Sequence, residues 1–459
     1  MQKFNNTYIF GISMVSAMGG LLFGYDWVVI GGAKPFYERY FDIVSLAGLQ
    51  GWAMSSAITG CIIGALISGY LSEKTGRKFP LVISAFLFLV ASIGTGLSTV
   101  YNMFIIFRIL GGIGIGLASA IAPVYIAEVA PAHLRGRFVS LNQLTIVVGI
   151  LAAQVVNLII AEKIPAGATD EFIKLSWNGQ TGWRWMFWVC GLPSALFLFL
   201  LAFLPESPRW LIKAGKPEKA IPVLTKIGGT SYALAQANEI KSSLSDISEK
   251  VDFREAFKPR YRKVILIGIV IAVFQQWSGI NTVFNYAEEI FTSAGYDVND
   301  TMFNIVITGS VNLIMTLIAL LMVDKLGRKK LILFGSVGLA INYILLGGSY
   351  YAGFHGNTVL SFIVVAIGIY AMSLAPVTWV ILAEIFPNKI RGTAMALATL
   401  ALWIACFVLT YTFPLLNKFL GVSFTFWVFA GVCLAGFFFI LKYLPETKNK
   451  SLEEIEKLI

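Results

Sequence analysis

The chain has 459 residues, of which 57% are hydrophobic and only 13% are charged, and its formal net charge is +10. Soluble domains typically contain about 25% charged residues, so this composition excludes an ordinary soluble protein and indicates an all-α membrane protein. The basic residues are spread over short segments rather than gathered in one patch, which argues against nucleic-acid binding. The four cysteines lie in apolar runs without CxxC spacing, so we expect them to act as small core hydrophobes; neither a metal nor a cofactor is expected.

The first apolar run, residues 8–30, is long enough to cross a bilayer and contains Asp26. A carboxylate inside hydrocarbon is costly and usually marks an ion or proton pathway with a partner nearby. The basic residue placed similarly in a run is Arg108. If the two helices run in opposite directions, Asp26 lies about 27 Å along its helix and Arg108 about 10 Å below the outer face. We expect a proton-coupling pair; the alternative is a static ion pair that only fixes helix packing.

Twelve apolar runs have about the length that a membrane-spanning helix requires. Each is expected to be helical, because backbone groups in lipid must satisfy their own hydrogen bonds. The twelve predicted spans are 8–30, 48–71, 79–98, 101–125, 138–161, 183–204, 263–286, 302–323, 331–351, 358–383, 393–416 and 422–443.

The distribution of lysine and arginine predicts the orientation. The loops predicted to face outward contain few basic residues, namely Lys34, Arg39, Lys163, Lys174 and Lys418. Most of the others fall in loops on the opposite side, so both termini are expected in the cytoplasm.

A polar stretch at 205–262 separates the first six spans from the last six. Apolar residues at helical spacing and a proline at a helix start predict short cytoplasmic helices at 217–227 and 232–249, with a flexible linker as the alternative. We therefore predict an N-terminal six-helix bundle at 1–204, a C-terminal bundle at 263–445 and a cytoplasmic tail at 446–459.

Three motifs recur in the same order in both halves. They are 73–78 with 324–329, 126–136 with 382–392, and 205–207 with 445–447. The same number of positions separates Glu128 from Glu384 and Arg135 from Arg391. This predicts two parallel repeats, an arrangement in which transporters place their substrate site at the repeat interface near the midplane.

These motifs resemble the sugar porter family of the major facilitator superfamily. The resemblance covers essentially the whole chain and includes Arg108 before a glycine run, 205–209, Gln275-Gln276 with 279–281, and 445–448. The likeness is strongest to bacterial monosaccharide–proton symporters. Symporters of the family carry an acid at the position of Asp26, whereas facilitative glucose carriers have a neutral residue there.

The resemblance also implies sugar-contacting positions. They are Gln143, Gln275, Gln276, Asn281, Asn312, Trp379 and Trp403. Amides offer donors and acceptors together, as a polyhydroxyl ligand requires, and indole rings can cover the C–H faces of a sugar. The alternatives are interhelical hydrogen bonding for the amides and core packing for the tryptophans.

Several positions depart from the family pattern. Leu402 stands where Gln or Asn is common, Asn285 where Tyr is usual, and Ala375 replaces a glycine. Ile150 and Phe284 match glucose carriers better than xylose symporters, which favours a hexose, whereas Leu402 removes one expected hydrogen bond to sugar.

By the same resemblance, charged residues in the cytoplasmic loops form an interdomain latch that holds the outward-facing state. The set is Arg77, Glu128, Arg135, Glu206, Arg328, Glu384 and Arg391. The alternative is ordinary positive-inside charge, which explains the arginines but not the repeated glutamates.

Together these features predict a proton-coupled importer of a monosaccharide, a hexose or pentose such as glucose or xylose, that works by alternating access in the cell membrane. Its expected partners are the sugar, protons and the lipid bilayer, and the expected functional unit is a monomer. A facilitative uniporter and a non-transporting sugar sensor are the alternatives. Neither an HExxH motif nor a Walker loop is present, so an enzyme and an ATP-driven pump are not expected.

Overall fold

The computed structural model describes residues 4–131, 133–165, 167–245, 257–387 and 390–446, and all regular secondary structure in these ranges is helical. The helices are α1 (Asn6–Tyr40), α2 (Ala47–Thr75), α3 (Lys78–Leu97), α4 (Tyr101–Val129), α5 (Arg135–Ile160), α6 (Asp170–Leu175), α7 (Trp183–Trp188), α8 (Gly191–Phe203), α9 (Pro208–Lys213), α10 (Pro217–Ser245), α11 (Pro259–Trp277), α12 (Ile280–Asn285), α13 (Ala287–Ser293), α14 (Val298–Leu326), α15 (Arg328–Tyr351), α16 (Asn357–Met372), α17 (Leu374–Ile385) and α18 (Arg391–Tyr443), with a π-helical turn at Asn178–Gly182. The predicted all-α fold is confirmed.

Eleven helical stretches in the described ranges are long and apolar enough to span a membrane. The last of them, α18, has 53 residues and contains the eleventh and twelfth predicted spans. Its backbone leaves helical geometry at Gly421, between those two spans. The twelve predicted spans are therefore all represented.

Helix α1 is longer than predicted. The apolar run ends at residue 30, yet the helix continues to Tyr40 and includes Lys34 and Arg39, which were expected in a loop. The Lys34 ammonium lies 3.2 Å from Glu38 one turn later, and the Arg39 guanidinium donates to the Pro35 carbonyl at 2.6 Å. Pairing within the helix stabilises a segment that hydropathy alone assigns to a loop.

The seventh predicted span, 263–286, is broken into α11 and α12, and α13 begins directly after it. The break lies at Gly279, whose φ of 88° is in the left-handed region. A Cβ atom there would lie 2.6 Å from the Phe429 ring, so both backbone conformation and space require glycine. The break leaves Gln275 and Gln276 at the end of α11 and Asn281 at the start of α12.

The polar connection after the sixth span is helical, as predicted. Helix α10 covers the predicted segment 217–227 and most of 232–249, with a kink at Gly229 between them. Its apolar residues Leu224 and Ile227 are buried. Helix α9 was not predicted, and residues 246–256 lie outside the described ranges, as does the predicted tail beyond Glu446.

The described residues form two compact units. The first contains residues within 1–26, 59–150 and 187–250, and the second contains residues within 27–58, 151–186 and 251–459. Inside the second unit, α2 packs so closely that a Cβ atom at Gly51 would lie 2.3 Å from the Tyr411 carbonyl oxygen of α18. The units thus cut through α1, α2 and α5, whereas the predicted boundaries 1–204 and 263–445 follow the sequence repeat and stay a prediction.

Candidate functional site

Asp26 and Arg108 form a buried ion pair between α1 and α4. The Arg108 Nη1 atom lies 2.8 Å from Asp26 Oδ1, and Nη2 donates to the Asp26 carbonyl at 3.4 Å. Asp26 is 6% exposed and Arg108 is 2% exposed. Breaking a buried pair leaves an uncompensated charge, so these two side chains respond strongly to a change in either one.

The surroundings leave one side of the Asp26 carboxylate open to a proton. Asp26 Oδ2 is buried and accepts no hydrogen bond from the described residues. Arg108 is held over the Phe187 ring, with its guanidinium carbon 5.7 Å from the ring centroid. Close packing brings α1 into place, since a Cβ atom at Gly24 would lie 1.9 Å from the Ile146 carbonyl oxygen of α5. The pair therefore combines a fixed base with an acid that has a free oxygen.

Three of the predicted sugar-contacting amides form a chain of hydrogen bonds in the second unit. Asn281 Nδ2 donates to Gln276 Oε1, and Gln276 Nε2 donates to Gln275 Oε1 at 2.8 Å. Asn281 also approaches Cys406 Sγ at 3.8 Å. Gln275 and Gln276 are buried, as is Asn312 on α14. Linked amides of this kind present ordered donors and acceptors, which is what recognition of several hydroxyl groups requires.

The predicted tryptophans differ in environment. Trp403 is buried and its ring lies 6.0 Å from that of Trp27, a residue that the sequence reading missed. Trp379 is 38% exposed. Leu402, beside Trp403, is buried and supplies no hydrogen-bonding group. Gln143 lies on α5 in the first unit and is half-buried.

The first copy of the loop motifs forms a compact ionic cluster. Arg77 Nη2 lies 2.8 Å from Glu128 Oε1, and Arg77 Nε donates to Glu128 Oε2 at 2.9 Å. Glu206 accepts from the backbone N–H of Arg77 at 2.8 Å. The bidentate pair and the backbone contact join α3, α4 and the segment after α8.

The second copy has the counterparts of two of these three contacts. Arg328 Nη2 lies 3.2 Å from Glu384 Oε1, and Glu446 accepts from the backbone N–H of Arg328 at 3.1 Å. Glu446, which was not among the predicted latch residues, is thus the counterpart of Glu206. Arg135 and Arg391 make no ion pair with another residue of the described ranges. Both observed ion pairs join helices of the same repeat, and the role of the set as an interdomain latch stays a prediction.

A second buried ionic cluster was not predicted at all. It contains Lys34 and Glu38 on α1 with Glu288 and Glu289 on α13, and is named here the Lys34 cluster. The sequence did carry a signal, because Lys34 and Glu38 stand four positions apart, the spacing of an ion pair on one helix face. That signal was overlooked because the segment was assigned to a loop.

Comparison with known proteins gives consistent results along the whole chain. A family model described as Sugar (and other) transporter matches residues 12–459. The chain is 39% identical to a D-xylose-proton symporter of Escherichia coli (strain K12), covering 99% of this chain and 96% of the relative. It is 40% identical to an arabinose-proton symporter of Bacillus subtilis (strain 168), covering 98% and 95% respectively.

Solved structures of the E. coli xylose transporter XylE share the fold. An inward open conformation aligns with a TM-score of 0.86 at 38% identity, covering 98% of this chain and all of that one. The proton:xylose symporter bound to 6-bromo-6-deoxy-D-glucose aligns with a TM-score of 0.82 at 38% identity, covering 99% of this chain and 100% of the other. The predicted twelve-helix fold and sugar porter resemblance are confirmed.

Proposed function

Because this chain belongs to the Sugar (and other) transporter family of the major facilitator superfamily, we propose that it imports a monosaccharide together with a proton by alternating access. The chain is a transporter and not an enzyme. The observation that carries the proton coupling is the buried Asp26–Arg108 pair with its free carboxylate oxygen. Relatives named for D-xylose, arabinose and glucose transport support a pentose or hexose as the substrate class.

Coupling follows from what a proton does to the pair. Ionised Asp26 binds Arg108 through a charge-assisted hydrogen bond, which is roughly twice as strong as a neutral one. Protonation at Oδ2 removes the carboxylate charge and weakens that bond, so α1 and α4 can separate. A proton that binds from outside favours the outward-open form that can bind sugar. Release of the proton to the cytoplasm restores the ionised pair and resets the transporter.

The energy available from one proton is sufficient for accumulation. A membrane potential of about 100 mV supplies about 2.3 kcal/mol per charge, and one pH unit adds about 1.4 kcal/mol. At about 1.4 kcal/mol per factor of ten, the potential alone supports an accumulation of roughly fifty-fold.

Sugar binding is assigned to the buried amides Gln275, Gln276 and Asn281 together with Asn312, Gln143 and the indoles of Trp403 and Trp379. The linked amides supply donors and acceptors for hydroxyl groups, and a ring such as that of Trp403 covers an apolar sugar face. The Leu402 side chain cannot form a hydrogen bond with a sugar hydroxyl. This position is therefore the one most suited to determine the preference for hexose or pentose.

The proposal also covers the orientation of the chain, the loop clusters and the transport unit. The excess of lysine and arginine on one side of the predicted spans supports a cytoplasmic position for both termini of a protein in the cell membrane. The loop clusters around Arg77 and Arg328 stabilise one conformation as a latch, and a single chain forms the transport unit.

Reconstituted protein tests the function directly. Liposomes holding the purified protein are given a panel of labelled hexoses and pentoses, with and without an imposed proton gradient, while internal pH is recorded. We expect uphill accumulation of one or a few monosaccharides and sugar-dependent proton entry. Equilibration without accumulation would identify a uniporter, and saturable binding without uptake would identify a sensor.

A further inference from the structure

The Lys34 cluster concentrates four charged side chains where α1 meets α13. Lys34 Nζ lies 2.6 Å from Glu289 Oε1, 3.2 Å from Glu38 Oε2 and 3.4 Å from Glu288 Oε2. Lys34 is 1% exposed, and the three glutamates are at most 18% exposed. The four side chains line a cavity of about 330 Å³ that opens to solvent, so water and protons can reach them.

Three polar side chains near the cluster already form hydrogen bonds. The hydroxyl of Tyr37 donates to Met54 Sδ, and that of Tyr286 donates to the Thr410 carbonyl. Gln50 on α2 donates to Glu38 Oε2 at 3.1 Å.

Two further cations line the same cavity without balancing the cluster. Arg39 is paired with Asp170 at 2.7 Å. Lys418 on α18 forms no ion pair with any described residue. The three acids in contact with Lys34 therefore share this one base.

This imbalance requires a further positive charge when the cluster is closed. With all groups ionised, one ammonium faces three carboxylates, and uncompensated buried charge is expensive. Carboxylates that share a site cannot all remain ionised, so one of them takes up a proton. Glu38 Oε1 and Glu289 Oε2 are buried and have no hydrogen-bond partner among the described residues, so both are free to carry it. No group of three or more His, Cys, Asp or Glu residues in the described ranges is placed to hold a metal ion.

We propose that the Lys34 cluster is a second proton-binding site, filled from the outer solution when α1 and α13 come together. Helix α1 belongs to the first repeat and α13 to the second, so the cluster exists only while these two helices are in contact. Proton uptake then stabilises that contact, and external acidity favours closure of the outer side. The site is distinct from the Asp26–Arg108 pair, which joins α1 to α4 inside the first repeat. The inference rests on the proposed function only for the orientation of the chain in the membrane.

A distance measurement between α13 and the α1–α2 connection tests this proposal. Ser45 and Ser293 are both exposed and lie on these two segments. They are replaced by cysteine and spin-labelled in the full chain, after the buried Cys61, Cys190, Cys406 and Cys433 are replaced by alanine. Double electron–electron resonance then gives the ratio of short to long distances between about pH 8 and pH 6. All measurements are made in Asp26→Asn, so the result does not depend on whether Asp26 couples sugar to protons.

Linkage limits the expected effect to a tenfold change in the closed-to-open ratio per pH unit for each proton bound. We expect the ratio to rise roughly three- to tenfold per unit as the pH falls. In Glu38→Gln with Glu289→Gln, the charges balance without a proton, so the short distance should dominate at both pH values. Should the double variant not fold, Glu289→Gln alone leaves one base and two acids, which is the charge of the parent cluster with one proton bound, so its ratio should be higher than that of the parent at about pH 8 and should respond less to pH.

Three results would overturn the proposal. They are a ratio that does not respond to pH in the parent, the same pH response in the Gln variants, and closure at about pH 8 driven by added sodium or potassium. The last outcome would identify an inorganic cation as the balancing charge.

Discussion

Helix α1 carries two buried ionic sites that differ in charge balance and in the helices that they join. The Asp26–Arg108 pair contains one acid and one base and links α1 to α4 in the first repeat. The Lys34 cluster, about two helical turns further along α1, sets one base against three acids and links α1 to α13 in the second repeat. A balanced pair is stable when ionised, and a proton weakens it. An unbalanced cluster is stable only when a proton or another cation has been added, and it depends on the contact between repeats.

Neutralising one charged residue in each site should therefore have unequal effects, and the largest is expected for Lys34→Met. Three buried carboxylates would remain without a base, and loss of one partner from a buried ionic site costs about 3–5 kcal/mol. The closed-to-open ratio measured between labels at Ser45 and Ser293 should fall by roughly a hundredfold or more. Lys418→Met is the matched control, since Lys418 lines the same cavity without an ion pair. Equal ratios in the two variants would mean that Lys34 does not hold the helices together.

Neutralising the balanced pair should affect energy coupling instead of outer closure. Asp26→Asn retains the size of the side chain but cannot gain or lose a proton. We expect the accumulation ratio in energised liposomes to fall from roughly fifty-fold at about 100 mV to about one, while sugar counterflow persists. Asp42→Asn is the control, because Asp42 is an exposed acid paired with Lys174. Continued uphill accumulation by Asp26→Asn would move the coupling site elsewhere.

A neutral network in the second unit sharpens the comparison between charged and uncharged buried groups. Gln276→Ala removes the middle of the Asn281–Gln276–Gln275 chain and leaves buried amides unpaired, at about 1–3 kcal/mol. Sugar affinity should weaken by roughly tenfold, with no change in its dependence on external pH. Competition binding measures both quantities, and Gln236→Ala on α10, which loses a hydrogen bond to the exposed Glu239, is the control. Unchanged affinity would exclude this amide chain from the sugar site.

The smallest effects are expected where charge is partly exposed. Glu206 and Glu446 each accept from the backbone N–H of the arginine in the loop motif of their own repeat. Partly solvated ionic contacts are worth about 1 kcal/mol or less, so Glu206→Gln and Glu446→Gln should each change the initial uptake rate by only a few-fold. The exposed Glu239→Gln on α10 sets the baseline. A loss of transport as complete as that of Asp26→Asn would place these residues in the coupling mechanism.

Much of this protein is determined by its sequence alone. Lipid satisfies no backbone hydrogen bonds, so twelve long apolar runs had to become helices. The cost of a carboxylate in hydrocarbon made Asp26 conspicuous, and Arg108 was the basic residue available at a similar depth. The repeated loop motifs identified Glu384 as the counterpart of Glu128, because both stand seven positions before an arginine. Each of these inferences depends on local composition or on spacing along the chain.

Only the tertiary structure decided which polar residues are buried together. The hydropathy pattern predicts that α1 ends at residue 30, because the charged side chains of Lys34 and Glu38 are costly to bury unless residues from elsewhere in the chain pair with them. Those residues are Glu288 and Glu289, more than 250 positions away on α13, a helix that begins after the interruptions at Gly279 and Tyr286. The contacts of Trp403 with Trp27 and of Glu446 with Arg328 are long-range in the same sense. A sequence shows which side chains are costly to bury, but the three-dimensional packing of distant helices determines which of them are buried together.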